Sequence, residues 1–368
     1  MDAQQTRRFR FAFGRYACEV TVGQRLPRLI ELTTLGPAAR TLLVCDRNTE
    51  QAARAIGGIA PVVVLPPGEA SKGWTAVETI LRAAVDAGLG RDGLFVGVGG
   101  GVVTDMTAFA ASIYMRGARL ALVPTTLLGM ADAALGGKTG IDLFDIKNLA
   151  GTFRPADSVY MATEALGSLS DKEFDSGMAE VIKTGIIGDG ELLTLLEEIA
   201  DGRRARPDAA LSADIVARCV AVKGRIVEAD PTETGTERAL LNLGHTYGHA
   251  LESVAGLGKL THGEAVAWGM ARSCRLGAML GHTGKDREAR ILRILSAYGY
   301  DTAPLHPAAL AAAGGNAASA VAALSAAMAH DKKKKEGKLR FIVPKDDGAT
   351  MVDADAAVVQ KTLLGGLL

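Results

Sequence analysis

With 368 residues the chain exceeds one ordinary domain, and its size favours two, each with a core of its own. Its 41 basic and 41 acidic side chains cancel, which excludes a global field drawing it to nucleic acid or to an anionic membrane. A composition 48% hydrophobic and 22% charged is that of a soluble globular protein.

In chain order, the opening MDAQQTRRFRFAFGR lacks the apolar stretch of a secretory signal. Cys18, Cys45, Cys219 and Cys274 lie far apart and form no CxxC pair, so a reduced cytoplasmic enzyme is expected and a disulfide scaffold is not. TLLVCD (41–46) and PVVVLP (61–66) read as buried strands, and TAVETILRAAVDAGL (75–89) as a helix. LFVGVGGG (94–101) is a strand running into a glycine turn, and LALVP (120–124) is another strand. This alternation predicts a parallel sheet with helices on both faces. No apolar run reaches membrane-spanning length; RLALVPTTLLGMADAAL is broken by Pro124 and Asp132. Beyond residue 155 or so the strand signal fades. Segments 172–200, 208–229, 239–256, 263–281 and 286–299 read as helices, 307–329 as alanine-rich helices with a GG break, and LRFIVP (339–344) as one late strand. The expected organisation is an α/β domain over 1–155 and a mainly helical domain over 156–368, with the boundary near LAGTFRPADS (149–158) and no internal repeat.

Several stretches carry chemistry. GVGGGVVTDMTAF (97–109) follows a strand and opens a helix, where backbone N–H groups and the helix N-terminus favour a pyrophosphate. It departs from G-x-G-x-x-G at Val102, and a plain structural turn accounts for it equally well. Asp46 and Asn48 in CDRNTE stand at a strand end, where open α/β sheets bind ligands, and PPGEASK sets Glu69 and Lys72 on a loop after the next strand. Each alone reads as a solvated loop group. Between 114 and 148, Arg116, Lys138 and Lys147 gather with Asp132 and Asn148 among glycines, a set suited to an anionic group such as phosphate. Asp132, in the apolar context ADAAL, is either a helix cap or a functional group.

The second half supplies metal-type residues. GMAEVIK sets Glu180 and Lys183 three apart on one helix face. LNLGHTYGHALE sets Asn242, His245 and His249 at i, i+3 and i+7, again on one face, and THGEAV adds His262 at a helix start. One Glu and two or three His on neighbouring helices suit a zinc site with open positions. HTYGH lacks the Glu that follows the first His of an HExxH protease, so that reading falls. Lys223 and Arg238 alone are surface charges. DKKKKEGK (331–338) is a solvated turn and no nucleic-acid patch, since no aromatics are interleaved.

Taken together, PPGEASK, GGGVVTD, YMRG, VPTTLL, GGKTG, KN, GMAEVIK, LNLGHTYGHALE, HGEAVAWGM and DKK before LRFIVP resemble the dehydroquinate synthase family of sugar-phosphate cyclases, in collinear order over roughly residues 40–345. The resemblance implies a Rossmann-like NAD-binding domain followed by a helical metal- and substrate-binding domain. It also implies NAD and Zn2+ (or Co2+) as cofactors and a homodimer. It makes Glu180, His245 and His262 the metal ligands. Asp46, Asn48, Glu69, Lys72, Gly100, Gly101, Asp105, Thr125, Thr126, Lys138, Lys147, Ser168 and Glu173 would hold NAD. Lys183, His249, Asp132 and Asn242 would do the catalytic work. Lys223 and Arg238 would bind a substrate carboxylate; Lys138, Asn148 and Lys332 (or Lys333) would surround the phosphate, with Arg116 reaching in from the neighbouring subunit. The implied activity is NAD- and metal-dependent cyclisation of 3-deoxy-D-arabino-heptulosonate 7-phosphate to 3-dehydroquinate with loss of phosphate, a carbon–oxygen lyase reaction of the shikimate pathway.

Three places depart from the family pattern. Thr104–Asp105 stands where a GD pair is usual, Asp142, Leu143 and Phe144 where Asn-His-Pro is usual, and Ser168–Leu169 where Thr-Leu is usual. The alternative activity is a related cyclase acting on sedoheptulose 7-phosphate or another sugar phosphate without a carboxylate, which would have little need of Lys223 and Arg238. A metal-dependent alcohol dehydrogenase would not need the phosphate cluster, and a non-catalytic homologue would have lost a metal ligand or Lys183.

Overall fold

The structure, a computed structural model, describes residues 6–32, 40–144, 146–201, 206–256, 258–332 and 339–365, with the side chains of 330–332 outside the described set. The chain begins with β1 (Arg7–Phe13), β2 (Tyr16–Gly23), β3 (Thr41–Asp46), α1 (Glu50–Gly57), β4 (Val62–Leu65), α2 (Trp74–Asp86), β5 (Leu94–Gly99), α3 (Gly101–Ile113), β6 (Arg119–Pro124), β7 (Lys138–Leu143), β8 (Ile146–Phe153) and β9 (Ser158–Ala162). It continues through α4 (Asp171–Gly188), α5 (Gly190–Asp201), α6 (Ala209–Ala229), α7 (His245–Ala255), α8 (His262–Met279), α9 (Lys285–Ala297), α10 (Pro307–Ala312), α11 (Ala317–Lys332), β10 (Leu339–Pro344), β11 (Ala349–Ala354) and α12 (Ala356–Leu364). Two compact units result: Met1–Ser170 with Pro207–Thr232, and Asp171–Arg206 with Glu233–Leu368. No helix among the described residues is long and apolar enough to cross a membrane.

The first unit is built on a seven-stranded sheet ordered β1-β2-β9-β6-β5-β3-β4. Only β1 and β2 pair antiparallel; the other neighbours are parallel. Parallel strands covered on both faces read as unbroken apolar runs, and β5 is buried at every residue. Leu43, Val96, Val98, Ala121 and Val123 form the core of this sheet with Tyr160. The β5–β6 register sets Val98 beside Val123 and Gly99 beside Pro124, so both carboxyl ends finish at one level, where α3 begins. A separate antiparallel hairpin, β7–β8, packs on α3.

The boundary expected at 155 is corrected here. β9 lies beyond it yet is buried throughout and pairs with β2 and β6. Helix α6 also belongs to the first unit: it packs on β1, and Asp214 forms an ion pair with Arg7 at 2.5 Å.

The second unit is mainly helical and carries one antiparallel hairpin, so LRFIVP does not stand alone but pairs with β11. Its core gathers Tyr247, Leu251, Trp268, Leu276, Phe341, Val343 and Leu363. The polar ends of the two large rings find partners: Trp268 Nε1 donates to the Ala303 carbonyl at 2.9 Å, and the Tyr247 hydroxyl pairs with Thr362 Oγ1 at 3.0 Å. The span 172–200 is two helices, α4 and α5, parted at Asp189.

Candidate functional site

In the second unit, α4 carries Glu180 and Lys183 on one buried face, and the two form an i,i+3 ion pair. Glu180 Oε1 lies 3.8 Å from His245 Nε2 and 3.6 Å from His262 Nε2. One ligand atom from each of Glu180, His245 and His262 falls within 4.8 Å of the other two. Ligand bonds of about 2.0–2.2 Å to one tetrahedral ion would set such atoms roughly 3.3–3.5 Å apart, so the two distances from Glu180 need to close by only a few tenths of an ångström. Two imidazoles and one carboxylate are a donor set for zinc or cobalt, and three protein ligands leave positions open. The residues present therefore fit a divalent metal.

Both histidines are aimed from behind. His245 Nδ1 meets the Leu243 carbonyl at 3.2 Å, and His262 Nδ1 faces Glu252 Oε1 at 3.7 Å. Such partners fix ring orientation and leave Nε2 for the metal. Burial and then the Lys183 charge push His245 down to about 3, so the ring stays neutral, as metal binding would require. Burial also opposes a charged His262, but the carboxylates of Glu180 and Glu252 outweigh it and lift that ring to about 9.

The backbone explains how these side chains come together. Gly244 takes a left-handed φ of 83°, and a Cβ there would sit 2.6 Å from the Val266 carbonyl oxygen, so only glycine lets the start of α7 lie against α8. At the start of α8, Thr261 and Glu264 form a reciprocal capping box that fixes where His262 enters the helix.

One expectation fails here. Asn242 does not share the α7 face with His245 and His249; it ends a 3-10 turn (Arg238–Asn242), and the extended Leu243 and left-handed Gly244 separate that turn from α7. Asn242 Nδ2 instead donates to Glu233 Oε1 at 3.1 Å, with Glu233 itself at φ 56°. Arg238 is buried in the same turn. His249 is exposed, its ring centroid 5.4 Å from that of His245 and 6.0 Å from that of His262. With Glu252 and His262 it forms a second set of donors, more exposed than the first. Glu233 and Glu252 escaped the sequence reading; the only signal for Glu252 was its place three residues after His249. Lys332 closes α11 with its side chain outside the described residues, and Lys333 lies outside them altogether.

In the first unit, the strand-end residues are ordered by turns. Asp46 Oδ1 accepts from the Asn48 N–H at 2.9 Å, the Thr49 N–H at 3.1 Å and Thr49 Oγ1 at 3.0 Å. Gly100 and Gly101 start α3 beside Thr125, whose N–H donates to the Gly99 carbonyl at 2.9 Å; Thr126 Oγ1 accepts from the Gly129 N–H at 3.0 Å. Lys72 is buried, and its Nζ donates to Asp105 Oδ2 at 2.6 Å and to Asn148 Oδ1 at 2.7 Å. Burial opposes the Lys72 charge, but Asp105 prevails and holds the ammonium above its ordinary range. Asp132 lies in a one-turn π-helix (Gly129–Ala133), and Lys223 Nζ donates to its Oδ1 at 2.7 Å and to its backbone carbonyl at 2.5 Å. Asp132 is therefore not a helix cap. Met115 and Arg116 are both left-handed, at φ 48° and 67°, and exposed. Glu69, Lys138 and Lys147 are exposed. Ser168 Oγ donates to the Ala165 carbonyl at 2.7 Å in its own 3-10 turn, and Glu173 lies in the exposed first turn of α4, in the second unit.

Residues 62–176 match the family description "3-dehydroquinate synthase N-terminal", and residues 177–334 match "3-dehydroquinate synthase C-terminal". A 3-dehydroquinate synthase from a Bradyrhizobium species is 38% identical over 96% of this chain and 94% of its own length. Among solved structures, a 2-epi-5-epi-valiolone synthase from Streptomyces hygroscopicus with NAD+ and Zn2+ bound is 29% identical, with a TM-score of 0.77 over 95% of this chain and 96% of that one. A 2-deoxy-scyllo-inosose synthase complexed with carbaglucose-6-phosphate, NAD+ and Co2+ shares the fold at 22% identity, with a TM-score of 0.80 over 98% of this chain and 100% of that one.

Proposed function

Because this chain belongs to the 3-dehydroquinate synthase family, we propose that it cyclises 3-deoxy-D-arabino-heptulosonate 7-phosphate to 3-dehydroquinate with loss of phosphate. In chemical class this makes it a carbon–oxygen lyase of the shikimate pathway, using NAD without net consumption and Zn2+ or Co2+. The observation that carries the reading is the buried Glu180–Lys183 pair with His245 and His262 around it. The NAD+ and Zn2+ in the solved valiolone synthase support the same two cofactors here.

When bound, NAD supplies a reversible hydride acceptor and the metal a Lewis acid for a substrate oxygen. Glu180, His245 and His262 would hold the metal. Lys183, beside Glu180, stabilises negative charge developing on a substrate oxygen. Asn242, its amide oriented by Glu233, and Asp132 meet substrate hydroxyls. Lys223 and Arg238 bind the carboxylate; Lys138, Asn148 and Lys332 bind the phosphate, and the imidazole of His249 exchanges a proton as phosphate departs. The strand-end turn at Asp46 and Asn48, together with Glu69, Lys72, Asp105 and the Gly100–Gly101 helix start, receives NAD, with contacts from Thr125, Thr126, Lys147, Ser168 and Glu173. Holding the reacting groups in one geometry is most of the protein's contribution.

The test is direct. Purified protein with NAD and zinc should release phosphate from 3-deoxy-D-arabino-heptulosonate 7-phosphate and return all NADH to NAD. Turnover of sedoheptulose 7-phosphate alone would reassign the substrate, and accumulation of NADH would reassign the reaction. The protein works as a homodimer, and Arg116 crosses to the neighbouring site; exposed Ile113 and Met115 beside Arg116 support such a face. Four free, buried cysteines support a cytoplasmic location.

A further inference from the structure

We propose that Asp142 is a positioning residue: by accepting the Asn148 backbone N–H it holds the β7–β8 hairpin so that Asn148 and Lys72 present their polar ends as one unit. The inference rests on the reading that Asn148 meets the substrate phosphate.

The hairpin is irregular at this point. Ile141 pairs with Ala150 and Leu143 with Ile146, so Asp142 faces a stretch of β8 that has no ladder partner in register. Its side chain takes over the ladder's work: Oδ1 accepts from the Asn148 N–H at 2.7 Å. The Asp142 N–H donates to the Lys72 carbonyl at 2.8 Å, and Lys72 Nζ donates to Asn148 Oδ1 at 2.7 Å. Three residues from three chain segments thus close a hydrogen-bonded ring, and the Lys72–Asp105 pair at 2.6 Å ties that ring to α3. The ring explains the Asn148 backbone, whose φ of 53° is left-handed and needs support outside glycine. A carboxylate accepts an N–H more strongly than an amide oxygen does. With its Oδ1 committed to Lys72, the Asn148 amide keeps its Nδ2 donors for an anionic oxygen.

The experiment compares Asp142→Ala, Asp142→Asn and Asn148→Ala in the NAD- and zinc-loaded enzyme. It reads kcat, KM for 3-deoxy-D-arabino-heptulosonate 7-phosphate, and deuterium exchange of the 146–153 amides. Asp142→Ala should raise KM about tenfold while kcat stays within about twofold, and should speed exchange, because a charge-assisted hydrogen bond is lost. Asp142→Asn, which keeps an acceptor oxygen, should restore both readings. An Asp142→Asn enzyme as impaired as Asp142→Ala would overturn the hydrogen-bonding role, as would wild-type KM and exchange in Asp142→Ala. If Asn148→Ala raises KM and Asp142→Ala does not, positioning is refuted. If neither changes KM while Asp142→Ala still speeds exchange, Asp142 holds the hairpin and the placement of Asn148 at the phosphate falls instead.

Discussion

His245 and His249 lie one turn apart on α7, yet they face different neighbours. His245 is half-buried beside Glu180 and Lys183, and its Nδ1 is occupied by a backbone carbonyl; His249 is exposed beside Glu252. His245→Ala should therefore empty the metal site, whereas His249→Ala should keep the metal and slow turnover. Metal content by atomic absorption, read beside kcat, checks both, and a metal-free His249→Ala protein would shift the site to the Glu252 set. His262 yields a second prediction. A metal ligand must be neutral, and in the metal-free protein this ring keeps its proton up to about 9 while His245 has already lost its own. Zinc binding near pH 7.5 should then release about one proton, and the apparent affinity should climb with pH up to about 9 and level off above it. Calorimetry in buffers of different ionisation enthalpy measures the released proton, and a value near zero would contradict the assignment. Glu252 makes the third: Glu252→Leu, which removes the group behind His262, should weaken zinc binding by about 10- to 100-fold in a chelator competition. That a Glu and two or three His on neighbouring helices gather was legible in the sequence; the choice of Glu180, His245 and His262 as the proposed ligands came from the family resemblance, since spacing alone left His249 open. Glu252 and Glu233 were not legible, since an acidic side chain on a helix or turn looks solvated until the fold shows what it faces.

At the scale of elements, the site depends on how closely α4, α7 and α8 approach. Gly263, next to His262, is buried against α4, and a Cβ there would be driven onto the Ser176 carbonyl and Cα. Gly263→Ala should therefore push the start of α8 off α4, destabilise the unit by about 1–3 kcal/mol and lower zinc occupancy together. Urea unfolding with metal analysis tests this; a stable, fully loaded variant would mean that the helices can part without cost to the site. The apolar strands β3 to β6 were legible because their runs are unbroken. β9 was missed because it lies past the loop expected to form the boundary, and β1 because alternating arginine and phenylalanine resemble a solvated terminus. Asn242 was misplaced for a related reason: helical spacing was carried back across Leu243 and Gly244, where the backbone is not helical.

For the whole molecule, chain order and unit membership differ. α6 stands between segments of the second unit in sequence but packs with the first, and it brings Lys223 to Asp132 across 91 positions of chain. Hydrophobic period reports which face of a helix is buried and says nothing of which unit buries it, so the boundary could not be read from composition. The proposed sharing of Arg116 between subunits also belongs to this scale, and mixing inactive variants can test it. Arg116→Ala and Lys183→Ala would each be inactive as homodimers. If Arg116 acts across the interface, a mixed dimer has one site with both residues intact and one with neither. Random exchange makes about half the dimers mixed, so about a quarter of wild-type activity should return. If Arg116 serves its own subunit, every site in the mixture lacks one residue and no activity returns. The left-handed pair Met115–Arg116 gives a control: Met115→Gly relaxes that turn while keeping Arg116, and its homodimer should stay active in the same assay.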